Sequence, residues 1–332
     1  MKRIVLTALF ICLVSSIETR AESYGGEFLN LPVGAKALGI GGAFGPVADD
    51  ASAIYWNPAG LGKLRVPEIM LVHTALFANM ASHDYLALVL PIGKKLSLGA
   101  AWIRLGVEDI PRFSYTIGTP PIGTFGNNEN AFFGSAGTSF EKITLGKPWK
   151  LYSGGSIKLI YDKMDDRQAT GLGVDAGSII DINLADWFAR RAESRPLMGI
   201  LPVAIENSNL GTLSLSFVIQ DIGGTSIAWN TIRKHSDIRP AVYKIGLAYH
   251  QPISILRSTM TFAWEGSTET MQKGRLGAEY KYRNLLAFRA GQDQDKLVFG
   301  AGLSVWRFTM DYAYNSHDLG SIHRVAGSYK IM

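Results

Sequence analysis

Apolar and polar residues alternate with a period of two along most of this chain. In residues 275–282 the odd-numbered positions include Arg275 and Glu279, whereas every even-numbered position is apolar or aromatic. Residues 212–220 and 324–331 follow the same pattern. Strict alternation is typical of a β-strand that has one apolar and one polar face. The pattern therefore predicts a protein built mainly of such strands.

Fourteen segments carry this alternation, and most of them are 9 to 13 residues long. They are 68–77, 82–92, 95–106, 129–140, 150–163, 170–182, 211–222, 240–251, 256–265, 273–283, 285–292, 296–304, 306–315 and 321–331. A strand tilted by about 45° needs roughly 9–11 residues to cross a bilayer. An open sheet edge in hydrocarbon would leave amides without hydrogen bonds, so such a sheet must close. We therefore predict an all-β fold, a transmembrane antiparallel β-barrel of about 14 strands within residues 67–332.

The connections between these segments alternate in length. If the first strand runs outward, the periplasmic connections include the tight turns at 92–94 and Asn284. The external connections then include 106–128 and 223–239, both long and rich in Gly, Pro, Asn and Thr. Short periplasmic turns and longer external loops are the expected asymmetry of outer-membrane barrels.

Residues 183–210 are the exception, because they form a long connection on the periplasmic side. The connection begins with an amphipathic pattern that places Leu184, Trp187 and Phe188 on one face of a predicted helix. Two interpretations stay open. The helix packs under the barrel rim, or it is a docking element for a periplasmic partner or the inner leaflet.

Aromatic residues cluster near the ends of the predicted strands. The set comprises Trp102, Trp149, Trp229, Trp264, Trp306, Tyr152, Tyr161, Tyr249, Tyr280, Tyr282 and Tyr312. Interfacial aromatic girdles of a membrane barrel account for them, as would the core of a soluble β-sandwich. Strand length, the even strand number and the N-terminal sequence favour the membrane barrel.

The first 21 residues have the pattern of a secretory signal peptide. Lys2 and Arg3 precede an apolar run over 4–14, and Ala21 lies at a plausible cleavage point. This run is too short for a membrane-spanning helix. Cys12 lies inside it, so the exported chain is expected to have no thiol, no disulfide and no cysteine nucleophile.

Composition and charge exclude several other classes of protein. Hydrophobic residues make up 47% of the chain and charged residues 18%, against roughly 25% charged residues in soluble proteins. Removing Lys2, Arg3, Arg20 and Glu18 leaves 30 basic against 27 acidic residues, a charge of +3 that does not indicate nucleic-acid binding. The six histidines show no zinc spacing, and no Gly-x-Ser-x-Gly motif occurs. We predict no metal, no cofactor and no enzymatic activity.

Residues 22–66 do not alternate. The run 33–45 is dense in Gly and Ala, which allow close approach of backbones and unusual φ/ψ values. Asp49 and Asp50 precede a stretch that is able to begin a short helix. Pro58 biases Asn57 away from the helical region and predicts a turn. A fourteen-stranded barrel has a lumen too wide for its own side chains, so this segment is either a plug or a loose periplasmic arm. Within the barrel itself, the Gly154-Gly155 pair predicts a strand kink or a turn.

Four stretches of the N-terminal region resemble the signature of the PorV/PorQ family, which is related to the FadL-type long-chain fatty-acid channels. They are 26–29 (GEFL), 33–43 (VGAKALGIGGA), 48–53 (ADDASA) and 55–61 (YWNPAGL). Residues 318–325 (DLGSIHRV) are similar to the last hairpin of that family. The resemblance implies a fourteen-stranded barrel with a hatch in its lumen.

The resemblance also assigns roles within residues 22–66. The hatch motif is expected at Asn57, Pro58, Ala59 and Gly60. The predicted close-packing glycines of the hatch are Gly34, Gly39, Gly41 and Gly42, and the predicted acidic hatch turn is Asp49 and Asp50.

Three functions are compatible with these features, and in each the partner in common is outer-membrane lipid. The first, which we favour, is binding or transport of a fatty-acid-like or other apolar small molecule. The second is a PorV-like component or cargo shuttle of a type IX-like protein secretion system, for which the predicted loop 106–128 is a candidate protein-binding element. The third is a structural membrane protein without flux. Polar lumen residues such as Lys158, Lys244, Arg275, Glu279 and Arg324 are able to contact a ligand carboxylate, but barrel interiors are polar in any case.

Overall fold

The structure is a computed structural model that describes residues 25–77, 79–114, 120–140, 146–188, 210–232, 234–269, 274–316 and 320–331. The predicted signal peptide, with Cys12 and Ala21, lies outside the described residues. Residues 189–209 of the predicted periplasmic connection also lie outside the described residues. Residues 184–188, at the start of that connection, are helical.

One antiparallel sheet contains the sixteen strands found in these ranges, and their bounds follow. They are β1 (Glu68–Leu76), β2 (Ala81–Ile92), β3 (Leu96–Arg112), β4 (Gly123–Ser139), β5 (Trp149–Met164), β6 (Arg167–Asn183), β7 (Thr212–Gln220), β8 (Thr225–Trp229), β9 (Ser236–Arg239), β10 (Val242–Ile253), β11 (Ser258–Ser267), β12 (Arg275–Tyr282), β13 (Leu286–Asp293), β14 (Lys296–Val305), β15 (Phe308–Asn315) and β16 (Ile322–Lys330).

Fourteen of these strands close into a barrel. Neighbours in sequence pair throughout β1–β7 and β10–β16, β7 pairs with β10, and β16 returns to β1 with Lys330 opposite Glu68. Closure gives each of the fourteen ring strands two partners, so the ring has no open edge. The prediction of a closed antiparallel barrel of about 14 strands is confirmed.

The remaining two strands, β8 and β9, form a hairpin outside the ring. Strand β8 pairs with the part of β6 that extends beyond β7, with Ala169 opposite Trp229 and Gly171 opposite Ile227. The sequence-based assignment of 223–239 to a loop is therefore wrong. A run of only five or four residues is too short to show a reliable period of two.

The predicted long loop 106–128 is also mostly strand. Strand β3 continues to Arg112 and β4 begins at Gly123, with an irregularity in pairing between Val107 and Ile110. Gly, Asn and Pro residues make this stretch look like a loop in the sequence. Backbone pairing nevertheless continues, because ladder hydrogen bonds do not require apolar side chains.

The two faces of the barrel wall differ in polarity in the opposite sense to a soluble protein. On β10 the apolar side chains of Tyr243, Ile245 and Leu247 are exposed on the outer surface, whereas Lys244 and Ala248 are buried inside. The same arrangement recurs on β11 to β16. The interior is polar on β10 to β16, whereas on β1 to β4 it is largely apolar, with Val72, Tyr85 and Ile103 buried. An apolar belt exposed all round the outer surface is the pattern of a barrel that faces lipid. No helix in the described residues is long and apolar enough to cross a membrane.

Two of the aromatic residues assigned to the girdles lie elsewhere. Tyr152 faces the barrel interior and is buried. Trp229 is on β8, where its indole Nε1 donates to Asp237 Oδ2 at 2.8 Å. Both sit at the ends of apolar runs in the sequence, but the direction of each side chain depends on the register of its strand.

We define the two ends of the barrel by their connections. The turn rim contains 65–67, 93–95, 146–150, 184–188, 254–257, 283–285, 306–307 and 330–331. The loop rim contains the described connections at the opposite end, including 165–166, 294–295 and the β8–β9 hairpin. Strands β3 to β6 are the longest and raise one side of the loop rim.

Candidate functional site

Residues 25–66, the N-terminal segment, lie inside the barrel, apart from 65 and 66 at the turn rim. Short helices Glu27–Asn30, Ala35–Gly39, Ala53–Trp56 and Pro58–Lys63 make up much of the segment. Helix Ala35–Gly39 contacts β13 to β16, whereas Pro58–Lys63 contacts β3 to β6 on the other side. The largest fully buried apolar side chains of this segment are Phe28, Leu38, Ile40, Phe44, Ile54, Trp56 and Leu61.

The predicted hatch motif lies against a row of wall glycines. Gly137, Gly154 and Gly177 are register partners on the adjacent strands β4, β5 and β6. A Cβ at Gly137 would lie 2.5 Å from the Pro58 carbonyl oxygen, and one at Gly154 would also clash with Pro58. A Cβ at Gly177 would clash with Asn57 Oδ1. Only glycine allows the segment to approach the wall this closely, so Gly154 is a packing position within β5.

Asn57 joins three parts of the structure at this contact. Its side chain is completely buried, and its Oδ1 accepts a hydrogen bond from the Ala59 amide at 3.1 Å. Its Nδ2 donates to the carbonyl oxygens of Gly45 at 3.1 Å and Ser178 at 3.4 Å. The backbone of Asn57 is extended, as the following proline requires. Asn57 therefore links the turn, the preceding loop of the segment and the barrel wall.

Gly60 completes the motif. It packs so closely against the Ala48 carbonyl that a side chain would clash. The structure thus places Asn57, Pro58, Ala59 and Gly60 together at one contact with the wall.

The glycine-rich run forms a second contact on the opposite wall. Gly277 and Gly291 are paired on β12 and β13, and a Cβ on either would clash with the backbone at Ile40 and Gly41. Gly41 has a φ of 68°, which favours glycine in any case. A Cβ at Gly39 would lie 3.3 Å from Gly300 Cα.

The other two predicted glycines serve different purposes. Gly34 precedes helix Ala35–Gly39 with a φ of 85°. Gly42, with a φ of 74°, lies beside Arg275 and the ring of Trp56.

Trp56 lies at the centre of a group that contains two of the predicted polar lumen residues, Lys244 and Arg275, together with Glu265, which the sequence did not single out. Its Nε1 donates to the Val33 carbonyl at 2.8 Å. Lys244 Nζ lies 5.7 Å and Arg275 Cζ 5.9 Å from its ring centroid, within the range of cation–π attraction. Glu265 accepts a hydrogen bond from the Gly45 amide at 2.7 Å. Buried charges of the wall are therefore satisfied in part by the segment.

Asp49 and Asp50 lie beside a cavity of about 400 Å³ that opens at the turn rim. Asp49 forms an ion pair of 2.5 Å with Lys36. Burial acts to raise the pKa of Asp49, but the Lys36 ammonium outweighs it and lowers that pKa to about 2. Asp50 Oδ1 accepts hydrogen bonds from the amide and hydroxyl of Ser52. The acidic turn is thus part of a polar vestibule rather than of the Asn57 contact.

A second cavity of about 330 Å³ lies on the loop side of the segment. Half of its lining is apolar (Leu31, Pro32, Leu38, Leu76, Phe77 and Ile322), and the other half is polar or charged and includes Asp293, Gln294, Asp295, Lys296 and Asn315. Arg324 also lines it and is 1% exposed. Its Nε donates to Thr74 Oγ1 at 2.9 Å, but its Nη1 has no hydrogen-bond partner among the described residues. Asp293 and Asp295 line the same cavity, but no ion pair joins them to Arg324 among the described residues. A buried guanidinium without an ion-pair partner favours the approach of an anion.

Near the loop rim, an ion-pair network holds the start of the segment. Asp221 lies 2.8 Å from Lys158 Nζ and 2.7 Å from Arg239 Nε, and Lys158 also contacts Asp175 at 2.9 Å. Arg239 Nη1 donates to the Gly26 carbonyl at 3.1 Å. The β8–β9 hairpin is therefore connected to the segment through Arg239.

No family model matches this sequence, and no curated protein matches it. Among solved structures, a FadL homologue from Pseudomonas aeruginosa is 9% identical, with a TM-score of 0.50 over 91% of this chain and 99% of that chain. The TodX monoaromatic hydrocarbon channel, as a deltaS2 mutant, is 11% identical, with a TM-score of 0.49 over 90% of this chain and 99% of that one. A KdgM porin in complex with disordered oligogalacturonate is 7% identical, with a TM-score of 0.34 over 80% and 99%. The first of these likenesses shows that the chain has a FadL-like barrel fold.

Proposed function

We propose that this protein resides in the outer membrane and binds or transports a hydrophobic small molecule, with the N-terminal segment as a hatch. The observation that carries the proposal is the position of this segment inside the barrel. This segment has a polar cavity on its turn side and, on its loop side, a cavity lined by both apolar and polar side chains. The turn rim would face the periplasm, in keeping with the short turns there.

The contacts of the segment support a hatch that is able to move. Its two glycine contacts rest on close backbone packing, and the hydrogen bonds of Asn57 to the wall are few. These contacts between segment and wall would be lost without breaking the pairing between any two strands of the barrel. A displacement of residues 35–45 would join the two cavities into a path, while the closed ring of strands stays intact.

The loop-side cavity indicates the kind of ligand. Leu31, Leu38 and Phe77 offer an apolar surface, and Arg324 offers a charged donor at its edge. A fatty-acid-like molecule combines an apolar chain with a carboxylate and would satisfy both. The PorV/PorQ resemblance remains a prediction, and the secretion role is the alternative that the following experiment distinguishes.

The test is purification of the full chain in mild detergent, followed by mass spectrometry of what co-purifies. We expect bound apolar molecules with an anionic group. Co-purification of exported proteins without such molecules would instead favour the secretion role. Protein that remains in the soluble fraction would contradict the membrane barrel itself.

Transport is measured with laurate and dodecanol as probes in proteoliposomes. Arg324→Gln should lower laurate uptake and leave dodecanol uptake unchanged, because only laurate has a carboxylate.

Movement of the hatch is tested with the double variant Gly39→Cys/Arg289→Cys. A Cβ at Gly39 would lie 3.1 Å from Arg289 Cβ, so a small outward shift of the segment would bring the pair to the Cβ–Cβ distance of a disulfide, roughly 3.5–4.5 Å. Oxidation should stop uptake of both probes and reduction should restore it, whereas the two single variants should not respond. Uptake that is equal in both redox states would contradict a moving hatch.

A further inference from the structure

The turn rim has a one-sided charge. Among the described residues of its connections, outside the strands, seven side chains are basic and one, Asp186, is acidic. The basic residues are Arg65, Lys94, Lys95, Lys147, Arg257, Arg283 and Arg307, of which all but the half-buried Arg307 are exposed. The described connections of the loop rim differ, since their acidic residues are Asp165, Asp166, Asp221, Glu269 and Asp295 and their basic residue is Lys234. The excess of positive charge thus belongs to one end of the barrel.

Aromatic rings accompany these basic residues. Arg307 Cζ lies 5.0 Å from the ring centroid of Trp306, and Lys147 Nζ lies 5.0 Å from that of Trp149. Arg283 Cζ lies 5.1 Å from the ring of Tyr282. Trp and Tyr concentrate at the headgroup level of membranes, where one part of the ring is apolar and another is wet. Three independent connections thus place a cation on an interfacial aromatic ring.

Large apolar side chains are also exposed at this rim. Trp306 is 78% exposed and Ile255 is 96% exposed, next to Leu256 and Arg257. The helical residues 184–188 add the exposed side chains of Trp187 and Phe188. A cation beside an exposed apolar side chain is suited to a boundary, because its stem lies along apolar surface while its charge reaches the polar layer.

We propose that the turn rim binds the phosphate groups of anionic phospholipids in the leaflet on its side of the membrane. The charges occur in most of the described connections, from residues 65 and 94–95 to 283 and 307, and so surround the barrel. A layer of headgroups meets the whole circumference, whereas a folded acidic partner would meet one sector. Arg and Lys side chains provide charge-assisted hydrogen bonds to phosphate. This inference is independent of the proposed transport function.

The experiment compares lipids retained by the full chain after extraction from an equimolar mixture of phosphatidylglycerol and phosphatidylcholine. The wild type should retain phosphatidylglycerol in several-fold excess. The double variant Arg283→Gln/Arg307→Gln should lower this excess by about fivefold or more, toward the ratio of the input mixture. The variant Arg283→Lys/Arg307→Lys should keep most of the preference, because it preserves the charge.

A matched control removes two exposed basic residues near the other end, in the variant Lys163→Gln/Lys234→Gln. It should leave the lipid ratio unchanged. Heat-modifiable gel mobility verifies that every variant forms the folded barrel before its lipids are measured. High salt during extraction should weaken the preference of the wild type, because exposed charges are screened.

Three outcomes would overturn the proposal. One is a wild-type lipid ratio equal to that of the input mixture. Another is an equal loss of preference in the control at the loop rim. The third is a change in co-purifying protein, without a change in lipid ratio, when Arg283 and Arg307 are replaced, since this would assign the rim to an acidic protein partner.

Discussion

The N-terminal segment meets the barrel wall at two contacts that use the same device in different surroundings. At the first contact, Asn57 and Pro58 lie on the glycine row of β4 to β6, and the buried Asn57 side chain has three hydrogen-bond partners. At the second contact, Ile40 and Gly41 lie on the glycine pair of β12 and β13 without a comparable side-chain anchor.

The surroundings of the second contact are charged. Arg289 lies beside Gly39 and pairs with Glu279 and Asp311, at 2.6 and 2.7 Å, and Arg275 lies beside Gly42. Both cations have carboxylate partners in the wall, and Arg275 in addition lies near the ring of Trp56. Close packing alone therefore does not define a fixed attachment. We expect the Asn57 contact to hold the segment and the Gly41 contact to be the one that separates.

The largest expected effect is at the first contact. Gly154→Val would place a branched side chain against the Pro58 backbone, which has no room to yield. We expect a loss of about 3 kcal/mol in the free energy of unfolding, measured in detergent by urea titration. Gly134→Val is the control, because no atom lies within 4 Å of its Cβ position. Equal effects of the two variants would show that the glycine row is not a contact for the segment.

The second contact is tested by Gly41→Ala. Its left-handed backbone costs about 1 kcal/mol for a residue with a Cβ, and the approach to β12 and β13 adds to that cost. Gly93→Ala isolates the backbone cost, since Gly93 has a φ of 66° and open space around it. We expect Gly41→Ala to destabilise the protein more than Gly93→Ala, by about 1 kcal/mol in the same titration. No difference would mean that the second contact does not constrain the fold.

The anchoring role of the first contact is tested by Asn57→Ala. Loss of the amide leaves the buried Gly45 carbonyl and Ala59 amide without this partner, so we expect a loss of about 2 kcal/mol. Asn230→Ala removes an exposed hydrogen bond to the Gln168 amide and should cost less than about 0.5 kcal/mol. Asn57→Ala should also increase protease cleavage within residues 25–66. A variant as stable and as resistant as the wild type would remove the difference between the two contacts.

The smallest effect concerns the Lys36–Asp49 ion pair beside the turn-side cavity. Lys36→Met should cost less than about 1 kcal/mol at neutral pH, because Asp49 is partly exposed. The pKa of Asp49 is lowered in the folded protein, to about 2. The contribution of the pair is therefore complete above the ordinary pKa of Asp49 and is lost as the pH falls toward 2. The difference between wild type and variant should be constant from pH 7 to 5 and should shrink below pH 4; a difference that already shrinks between pH 7 and 5 would contradict this assignment.

The alternation of side chains was sufficient to predict the barrel, because it is a local property of each strand. Its limit appears where the alternation is weak. Strands β8 and β9 are short, and the extensions of β3 and β4 are rich in Gly and Asn, so neither is visible in the sequence. The prediction that Tyr152 belongs to an outer aromatic girdle was wrong for a related reason. Which side of the wall a side chain faces depends on the register of its strand with the neighbouring strands.

The residues of the site divide in the same way. Asn57, Pro58, Ala59 and Gly60 were recognisable because the motif is contiguous in the chain. Their acceptors on the wall were not, and Gly154 was interpreted as a kink or a turn. Gly137, Gly154 and Gly177 are separated by 17 and 23 residues, and only the pairing of β4, β5 and β6 makes them neighbours. In the sequence, Arg324 was not distinguishable from the other polar lumen residues. Only the structure shows that one nitrogen of its guanidinium group has no hydrogen-bond partner among the described residues.

By itself, the sequence determined that this protein forms amphipathic strands of membrane-spanning length and that residues 22–66 have a different character. Both conclusions rest on interactions between residues close in the chain, which composition and period express directly. Only the tertiary structure decided which wall glycines receive the segment, where the β8–β9 hairpin pairs and how the charges of separate turns add up at one rim. These features depend on barrel closure, which brings together residues that no local pattern relates.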